Sequence, residues 1–239
     1  MKIALLGYGR MGKTIEKLAL ERNHTIVYKT SSGINKENLQ QADVAIDFSI
    51  PTAAIENITS AFKAQVPVIS GTTGWLENYD EVVKTCNQLN GTFLYASNFS
   101  LGVNLFFNLN EHLAKLMKNH EQYQVSLEEI HHIQKLDEPS GTAISLAEGI
   151  INHSSLTDWK LVEQEDENAG KSIPVTAKRI ENVPGTHSIS YKSAVDDIEI
   201  KHTAHSREGF ALGAVIAAEW INGKKGVYSM KDVLQLNNL

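Results

Sequence analysis

Glu129, His131, His132, Lys135 and Asp137 crowd into nine positions near the middle of the chain, and Pro139-Ser140-Gly141-Thr142 follows directly. An imidazole exchanges a proton near neutral pH and a lysine supplies a fixed or protonating cation, so this run can deliver a proton to an anion. Ser140 is a good helix N-cap, and Ile144, Ala147, Ile150 and Ile151 recur behind it at helical spacing, so a helix is expected to begin near Gly141. A helix start offers unpaired N–H groups and the positive end of its dipole, and Gly141 lets a ligand come close to them. The pattern suits a carboxylate or phosphate that must be protonated. A solvated polar loop before an ordinary capped helix fits the same residues.

The elements around this run follow from periodicity. Tyr123, Val125 and Leu127 alternate with polar residues as in a strand. The span from Glu129 to Asp137 is too polar to continue it, and Pro139 disfavours helix at Glu138, so a loop is expected there. At the amino end, Lys2–Leu6 (KIALL) runs into Gly7-Tyr8-Gly9-Arg10-Met11-Gly12, and helical character follows from Thr14 to Glu21. GxGxxG between a strand and a helix is the turn that receives a dinucleotide pyrophosphate. Gly7 permits the turn, Gly9 the approach of backbone to phosphate, and Gly12 close packing of helix on strand.

The second strand, His24–Lys29, ends in Lys29-Thr30-Ser31-Ser32, with no carboxylate for a ribose 2′-hydroxyl. A lysine and three hydroxyls suit a 2′-phosphate, so NADPH is expected to be preferred, with NADH also used; Lys29 as a mere solvent-facing strand end is the alternative. Further strands are expected at 42–48, 66–70 and 92–96, with a helix at about 51–64. Their carboxyl ends carry Asp47-Phe48-Ser49, Gly71-Thr72-Thr73-Gly74 and Ser97-Asn98-Phe99-Ser100. Alternating strands and helices imply a parallel sheet with ligands at the strand ends, although the same small residues also make ordinary turns.

After Gly102 the pattern changes. A long helix at 104–117 is followed by the run described first, and then by strands near 159–162, 172–176, 187–191 and 198–202, which imply a mixed or antiparallel sheet. The connection 163–171 is expected to be a mobile loop. A small-residue helix at 211–221 and a last helix at 226–236 are expected to return to the first domain. The fold class is therefore α/β: a Rossmann-type doubly wound parallel sheet, residues 1–102 with 208–239, and a second α+β domain on a mixed sheet, residues 103–207.

Composition narrows the classes further. The chain has 239 residues, 42% hydrophobic and 21% charged, with a formal charge of −6. No basic stripe invites nucleic acid and no apolar run reaches membrane-spanning length. The lone Cys86 and the absence of a signal-peptide pattern fit a cytoplasmic protein. His202 and His205, with His131 and His132, do not converge at metal-ligand spacing, and no metal is expected. Glu128 and Glu129 point to opposite faces of a strand, which argues against a cooperating pair. Arg207 either clamps a carboxylate or forms a surface ion pair.

Glu129-x-His131-His132-x-x-Lys135-x-Asp137-x-Pro139-Ser140-Gly141-Thr142-Ala143 closely resembles the signature of the 4-hydroxy-tetrahydrodipicolinate reductase, or dihydrodipicolinate reductase, family. Gly9-Arg10-Met11-Gly12, Asp47-Phe48-Ser49, Gly71-Thr72-Thr73-Gly74, Asn98-Phe99-Ser100-x-Gly102-Val103-Asn104 and Ser206-Arg207-x-x-Phe210-Ala211 are similar to the family's motifs and occur in its order. The resemblance implies reduction of 4-hydroxy-tetrahydrodipicolinate, a cyclic dicarboxylate, to tetrahydrodipicolinate with NAD(P)H in the diaminopimelate route to lysine. It also implies a homotetramer built on the second domain. It makes His131 the proton donor or acceptor and Lys135 the proton donor, and it gives substrate binding to His132, Ser140, Gly141 and Thr142. Cofactor binding would fall to Gly7, Tyr8, Gly9, Arg10, Met11, Gly12, Lys29, Phe48, Gly71, Thr72, Thr73, Ala96, Ser97, Asn98, Phe99, Arg207 and Phe210.

The chain departs from the family in having only Tyr8 between Gly7 and the GRMG run, Glu138 where many members have alanine, and Ser97 where a small residue or proline is common. The segment 175–186 lacks an arginine-glycine pattern, and a trimmed second domain is expected. A two-domain dehydrogenase of another imino or keto acid, and a non-catalytic redox sensor, are the competing readings; clustered proton-transfer groups speak against the sensor.

Overall fold

The computed structural model describes residues 1–163, 170–206 and 208–236. In chain order its elements are β1 (Lys2–Leu6), α1 (Arg10–Glu21), β2 (Thr25–Thr30), α2 (Lys36–Leu39), β3 (Val44–Asp47), α3 (Pro51–Lys63), β4 (Val68–Ser70), α4 (Tyr79–Gln88), β5 (Thr92–Tyr95) and α5 (Leu101–Met117). The chain continues through β6 (Gln124–His131), α6 (Gly141–Ile151), β7 (Asp158–Leu161), β8 (Ser172–Arg179), β9 (Gly185–Lys192), β10 (Asp197–Ala204), α7 (Glu208–Ile221), β11 (Gly226–Tyr228) and α8 (Met230–Val233). It divides into two compact units, Met1–Asn104 with Glu208–Leu239, and Leu105–Arg207.

The first unit is a six-stranded parallel sheet in the order β11-β5-β4-β3-β1-β2. Its central strands are apolar on both sides because both faces are covered. Ile3, Leu5, Val44, Ile46, Ile69 and Leu94 pack with α1 and α7, while Ala4, Leu6, Ala45, Val68 and Phe93 pack with α3 and α4. Alanines 211, 214, 217 and 218 are wholly buried, which lets α7 lie close to the sheet. A Cβ on Gly213 would sit 1.7 Å from the Phe99 carbonyl oxygen.

The second unit is a five-stranded mixed sheet in the order β10-β9-β6-β8-β7. β6 lies in its middle, antiparallel to β9 and parallel to β8. Leu127, Ile173, Val175, Ile189 and Tyr191 form a core with residues of α5 and α6. Their strand neighbours, among them Ser126, Thr176, Ser188 and Ser190, face the other way.

Two expectations are corrected. β6 does not stop before Glu129 but continues through His131, because ladders on both sides hold it (Ile130 against Thr186 and Lys178, His131 against Arg179) and because the Glu129 charge has buried partners. The helix expected at 226–236 is instead a short strand and a short helix. Val227 and Tyr228 complete the open edge of β5, and a capping box between Ser229 and Asp232 delays the helix to Met230. Three helices also start earlier than expected, α1 at Arg10, α5 at Leu101 and α7 at Glu208. Most of the connection expected to be mobile, 164–169, lies outside the described residues.

Gly213→Ala should destabilise the protein by at least about 1–3 kcal/mol, since the added methyl meets backbone that cannot rotate away. Thermal unfolding checks this; an unchanged midpoint would show that α7 can back off from the turn after β5.

Candidate active site

In the first unit the glycine turn makes a cradle. Gly7 has φ +98 and a Cβ there would lie 2.1 Å from the Phe48 carbonyl oxygen, so the turn admits only glycine. A Cβ on Gly12 would lie 2.3 Å from the Gly7 oxygen, whereas Gly9 faces open space. The first turn of α1 carries no acidic side chain and no side-chain cap, which leaves its N–H groups and positive dipole for an anion. Gly7, Tyr8, Gly9, Thr30, Ser31, Ser32 and Phe48 border a cleft of about 280 Å³. These features fit a dinucleotide.

Other expected cofactor residues lie around this cradle in different roles. Lys29 is ion-paired to Glu16 at 2.9 Å and lies over the Tyr8 ring, whose hydroxyl is also hydrogen-bonded to Glu16. The Glu16 carboxyl is held below its usual range, first by Tyr8 and then by Lys29. Gly71 packs on the Phe48 ring, Thr72 is buried and Thr73 is exposed. Arg10 is exposed, Met11 is half-buried against the core, and Ala96 and Phe210 are half-buried, with Ser97 exposed. Phe99 is a core residue whose ring lies tilted 5.6 Å from that of Phe48, and the half-buried Asn98 side chain accepts the Ser100 N–H. Arg207 lies outside the described residues.

Asp47, which no spacing rule singled out, organises these strand ends. Its fully buried carboxylate accepts from Ser49 Oγ (2.7 Å), Asn57 Nδ2 (2.8 Å), Ser70 Oγ (2.8 Å) and Thr72 Oγ1 (2.8 Å). Burial pushes its carboxyl up and the four donors pull it back. Thr72 Oγ1 in turn accepts the Ser49 N–H at 2.8 Å, tying the turn after β3 to the turn after β4.

In the second unit the residues read first from sequence gather around the end of β6. Glu129 is fully buried. Its Oε1 accepts the Ser140 N–H at 3.0 Å and lies 3.2 Å from Arg179 Nη2, which also donates to the Asp137 carbonyl at 2.7 Å. Its Oε2 is 3.1 Å from His131 Nδ1, an ion-pair contact without hydrogen-bond alignment, and 3.7 Å from His187 Nε2. Burial raises the Glu129 carboxyl, but His131 and Ser140 outweigh it and bring the carboxyl down to about 2. Ser140 caps α6 by accepting the Ala143 N–H at 3.2 Å. The N–H groups of Gly141 and Thr142 have no intramolecular acceptor among the described residues, no acidic side chain sits in this first turn, and Gly141 faces open space. Lys135 is a half-buried ammonium held at 2.7 and 2.8 Å by the two oxygens of Asp137, whose carboxyl it lowers.

His187 and Arg179 were not among the expected residues. The only trace of them in the sequence is that each stands on a strand directly opposite β6, Arg179 across from His131 and His187 across from Glu129, a pairing visible only once the sheet order is known. Burial, then His131, pushes His187 down to about 4. Glu129, His131 and His187 have ligand-type atoms within 4.8 Å of one another. Arg179 and Ser140 already engage Glu129 Oε1 and His187 Nε2, so these groups are organised for protons first. His202 instead stacks on Phe106 at 5.8 Å. A larger hollow of about 580 Å³, at the opposite end of β6 near Tyr123 and Tyr191, touches none of these residues.

A glycine-turn parallel sheet joined to an α+β unit with a buried acid–imidazole cluster defines a dinucleotide-dependent oxidoreductase of the two-unit kind. Residues 1–99 match the family description "Dihydrodipicolinate reductase, N-terminus" and residues 102–234 match "Dihydrodipicolinate reductase, C-terminus". The chain belongs to the dihydrodipicolinate reductase family. It is 55% identical to a 4-hydroxy-tetrahydrodipicolinate reductase of Christiangramia forsetii, covering 98% of both chains, and 34% identical to one of Neisseria meningitidis serogroup B, covering 100% of this chain and 98% of that one. Among solved structures, a dipicolinate-bound dihydrodipicolinate reductase from Paenisporosarcina sp. TG-14 shares the fold at TM-score 0.77 and 20% identity over 96% of this chain and 97% of that one. A probable dehydrogenase from Thermotoga maritima does so at TM-score 0.60 and 9% identity, over 98% and 93%.

The cluster makes stability depend on acid. His187 is depressed from 6.5 to about 4, so its contribution is complete above pH 6.5 and is lost as pH falls toward about 4. Glu129 is depressed from 4.5 to about 2, so its contribution is lost in the window below, between 4.5 and about 2. The thermal midpoint should therefore fall in two stages on acidification. His187→Gln should flatten the upper stage alone, and an unflattened curve would mean that His187 takes up its proton without cost.

Proposed function

We propose that this protein reduces 4-hydroxy-tetrahydrodipicolinate to tetrahydrodipicolinate with NAD(P)H, in the diaminopimelate route to lysine. The observation that carries the reading is the second unit's pairing of His131, set on a buried carboxylate, with a helix start whose N–H groups are unpaired. The identity to relatives of that name supports it. Formally the 4-hydroxyl leaves as water while one hydride and one proton are added. One ring carboxylate is held by the N–H groups of Gly141 and Thr142, with the Ser140 cap fixing their direction and His132 adding a contact. His131 and Lys135 supply the proton, Lys135 being held in place by both oxygens of Asp137. NAD(P)H, when bound, supplies the hydride; Gly7 to Gly12, Phe48 and the turns after β2, β4 and β5 would hold it.

NADPH is the preferred cofactor in this reading, and NADH is also used. The end of β2 offers Lys29, Thr30, Ser31 and Ser32 and no carboxylate, although Glu16 shares the Lys29 charge. The sheet face that carries Ser126, Thr176, Ser188 and Ser190 has neither α5 nor α6 on it, and it is the face along which four copies would assemble. No helix among the described residues is long and apolar enough to cross a membrane, and a cytoplasmic location is proposed.

An NADPH-oxidation assay with substrate generated in situ by the preceding synthase tests the activity; no turnover ends the reading. Lys135→Ala should lower kcat by about 10²–10⁴-fold and leave NADPH affinity unchanged, because Lys135 belongs to the second unit. A higher kcat/KM with NADH than with NADPH would refute the cofactor preference.

A further inference from the structure

We infer that Glu129 and His187 are positioning residues that clamp Ser140 by both of its polar groups, and so fix the anion-holding start of α6 in register with the His131 imidazole. The inference rests on the reading that this unit binds the dicarboxylate, and it assigns work to two buried side chains that touch no substrate themselves.

The clamp is built across a strand pair. Glu129 on β6 and His187 on β9 are direct ladder partners. Glu129 Oε1 takes the Ser140 N–H at 3.0 Å, and His187 Nε2 lies 3.1 Å from Ser140 Oγ. That hydroxyl already accepts the Ala143 N–H as the helix cap and keeps its own proton to donate, and we assign His187 Nε2 as the acceptor of it. The network therefore assigns His187 as a neutral ring with its proton on Nδ1. The chain of bonds runs from the Ala143 amide through the Ser140 hydroxyl into His187. A parallel bond runs from the Ser140 amide into Glu129. Held at two points, Ser140 can neither turn nor slide.

The same pair sets where a proton can rest. His131 stands edge-on to His187, ring centres 5.1 Å apart. His187 is committed as an acceptor, whereas His131 Nδ1 faces Glu129 Oε2 at 3.1 Å. Burial and its bond to Ser140 keep a proton off His187, while His131 stands against the Glu129 carboxylate. The other charged or titratable groups bearing on His187 are Lys135 from the loop and His202 from β10, with Arg179 from β8 neutralising Glu129 from the far side. Gly185 belongs to the same construction: a Cβ there would lie 3.0 Å from His131 Nε2, so the glycine that begins β9 relieves a tight contact with the imidazole.

If the clamp works this way, the acceptor at the Nε2 position matters more than the ring. His187→Gln places an amide oxygen at about that reach, and His187→Leu fills the space without an acceptor. The test measures dipicolinate dissociation by calorimetry, NADPH dissociation by fluorescence, and kcat and KM for the in situ substrate, in wild type and both variants. The expected result is that His187→Leu weakens dipicolinate and raises substrate KM by about tenfold or more, while His187→Gln stays within about threefold of wild type. NADPH dissociation should not move in either. Ser140→Ala, which removes the other end of the same bond, should reproduce the dipicolinate loss and carries the test alone if His187→Leu does not fold. Wild-type dipicolinate affinity in a folded His187→Leu or in Ser140→Ala overturns the inference, as does equal loss in the glutamine and leucine variants. A wild type that neither turns over nor binds dipicolinate would instead sink the functional reading, and the clamp with it.

Discussion

Taking a carboxylate completely out of water is among the more expensive acts of folding, and the second unit does so in the middle strand of its sheet. Glu129 is tolerable there only because a guanidinium, a backbone amide and two imidazoles converge on it. Each of those partners comes from a different stretch of chain: Arg179 from β8, His187 from β9, Ser140 from the turn before α6, and His131 from β6 itself. Satisfying the buried charge thus requires the sheet to be paired correctly and the 132–140 turn to be folded back on it. The interactions that make the fold possible are the ones that aim the chemistry, and neither can be loosened without the other.

The first unit meets a related problem with different means. Asp47 is also fully buried at the end of a strand, yet its partners are three hydroxyls and an amide, with no cation among them. The four donors to Asp47 do not offset its burial and its carboxyl stays raised, whereas the contacts of Glu129 with His131 and Ser140 outweigh burial and leave it low. An acid that is tied to Ser49 and Thr72 sets the spacing of the turns after β3 and β4, and a cleft for a rigid ligand needs that spacing constant.

Much of this was legible in the letters. The glycine turn, the strand–helix alternation, the Ser140 cap and the change of pattern after Gly102 all rest on local rules, and local rules survive into the fold. What failed, failed where tertiary partners override composition. Glu129 looked too polar for a strand because its counter-charge lies 50 residues away at Arg179 and its imidazole neighbour His187 lies further on. Val227 and Tyr228 read as part of a helix because nothing nearby shows that β5 needs an edge partner. Asp47 sits in a short motif that matched the family, but its four donors are scattered over 25 residues and no periodicity links them.

The first unit is also interrupted. Its chain stops at Asn104 and resumes at Glu208, and the resumed part brings α7, whose alanines cover one face of the parallel sheet. During synthesis the first five strands of that sheet must therefore wait, their α7-side surface bare, while roughly a hundred further residues are added. Vectorial emergence from the ribosome cannot complete the nucleotide-binding unit first; the inserted sheet has every opportunity to form before its host is closed.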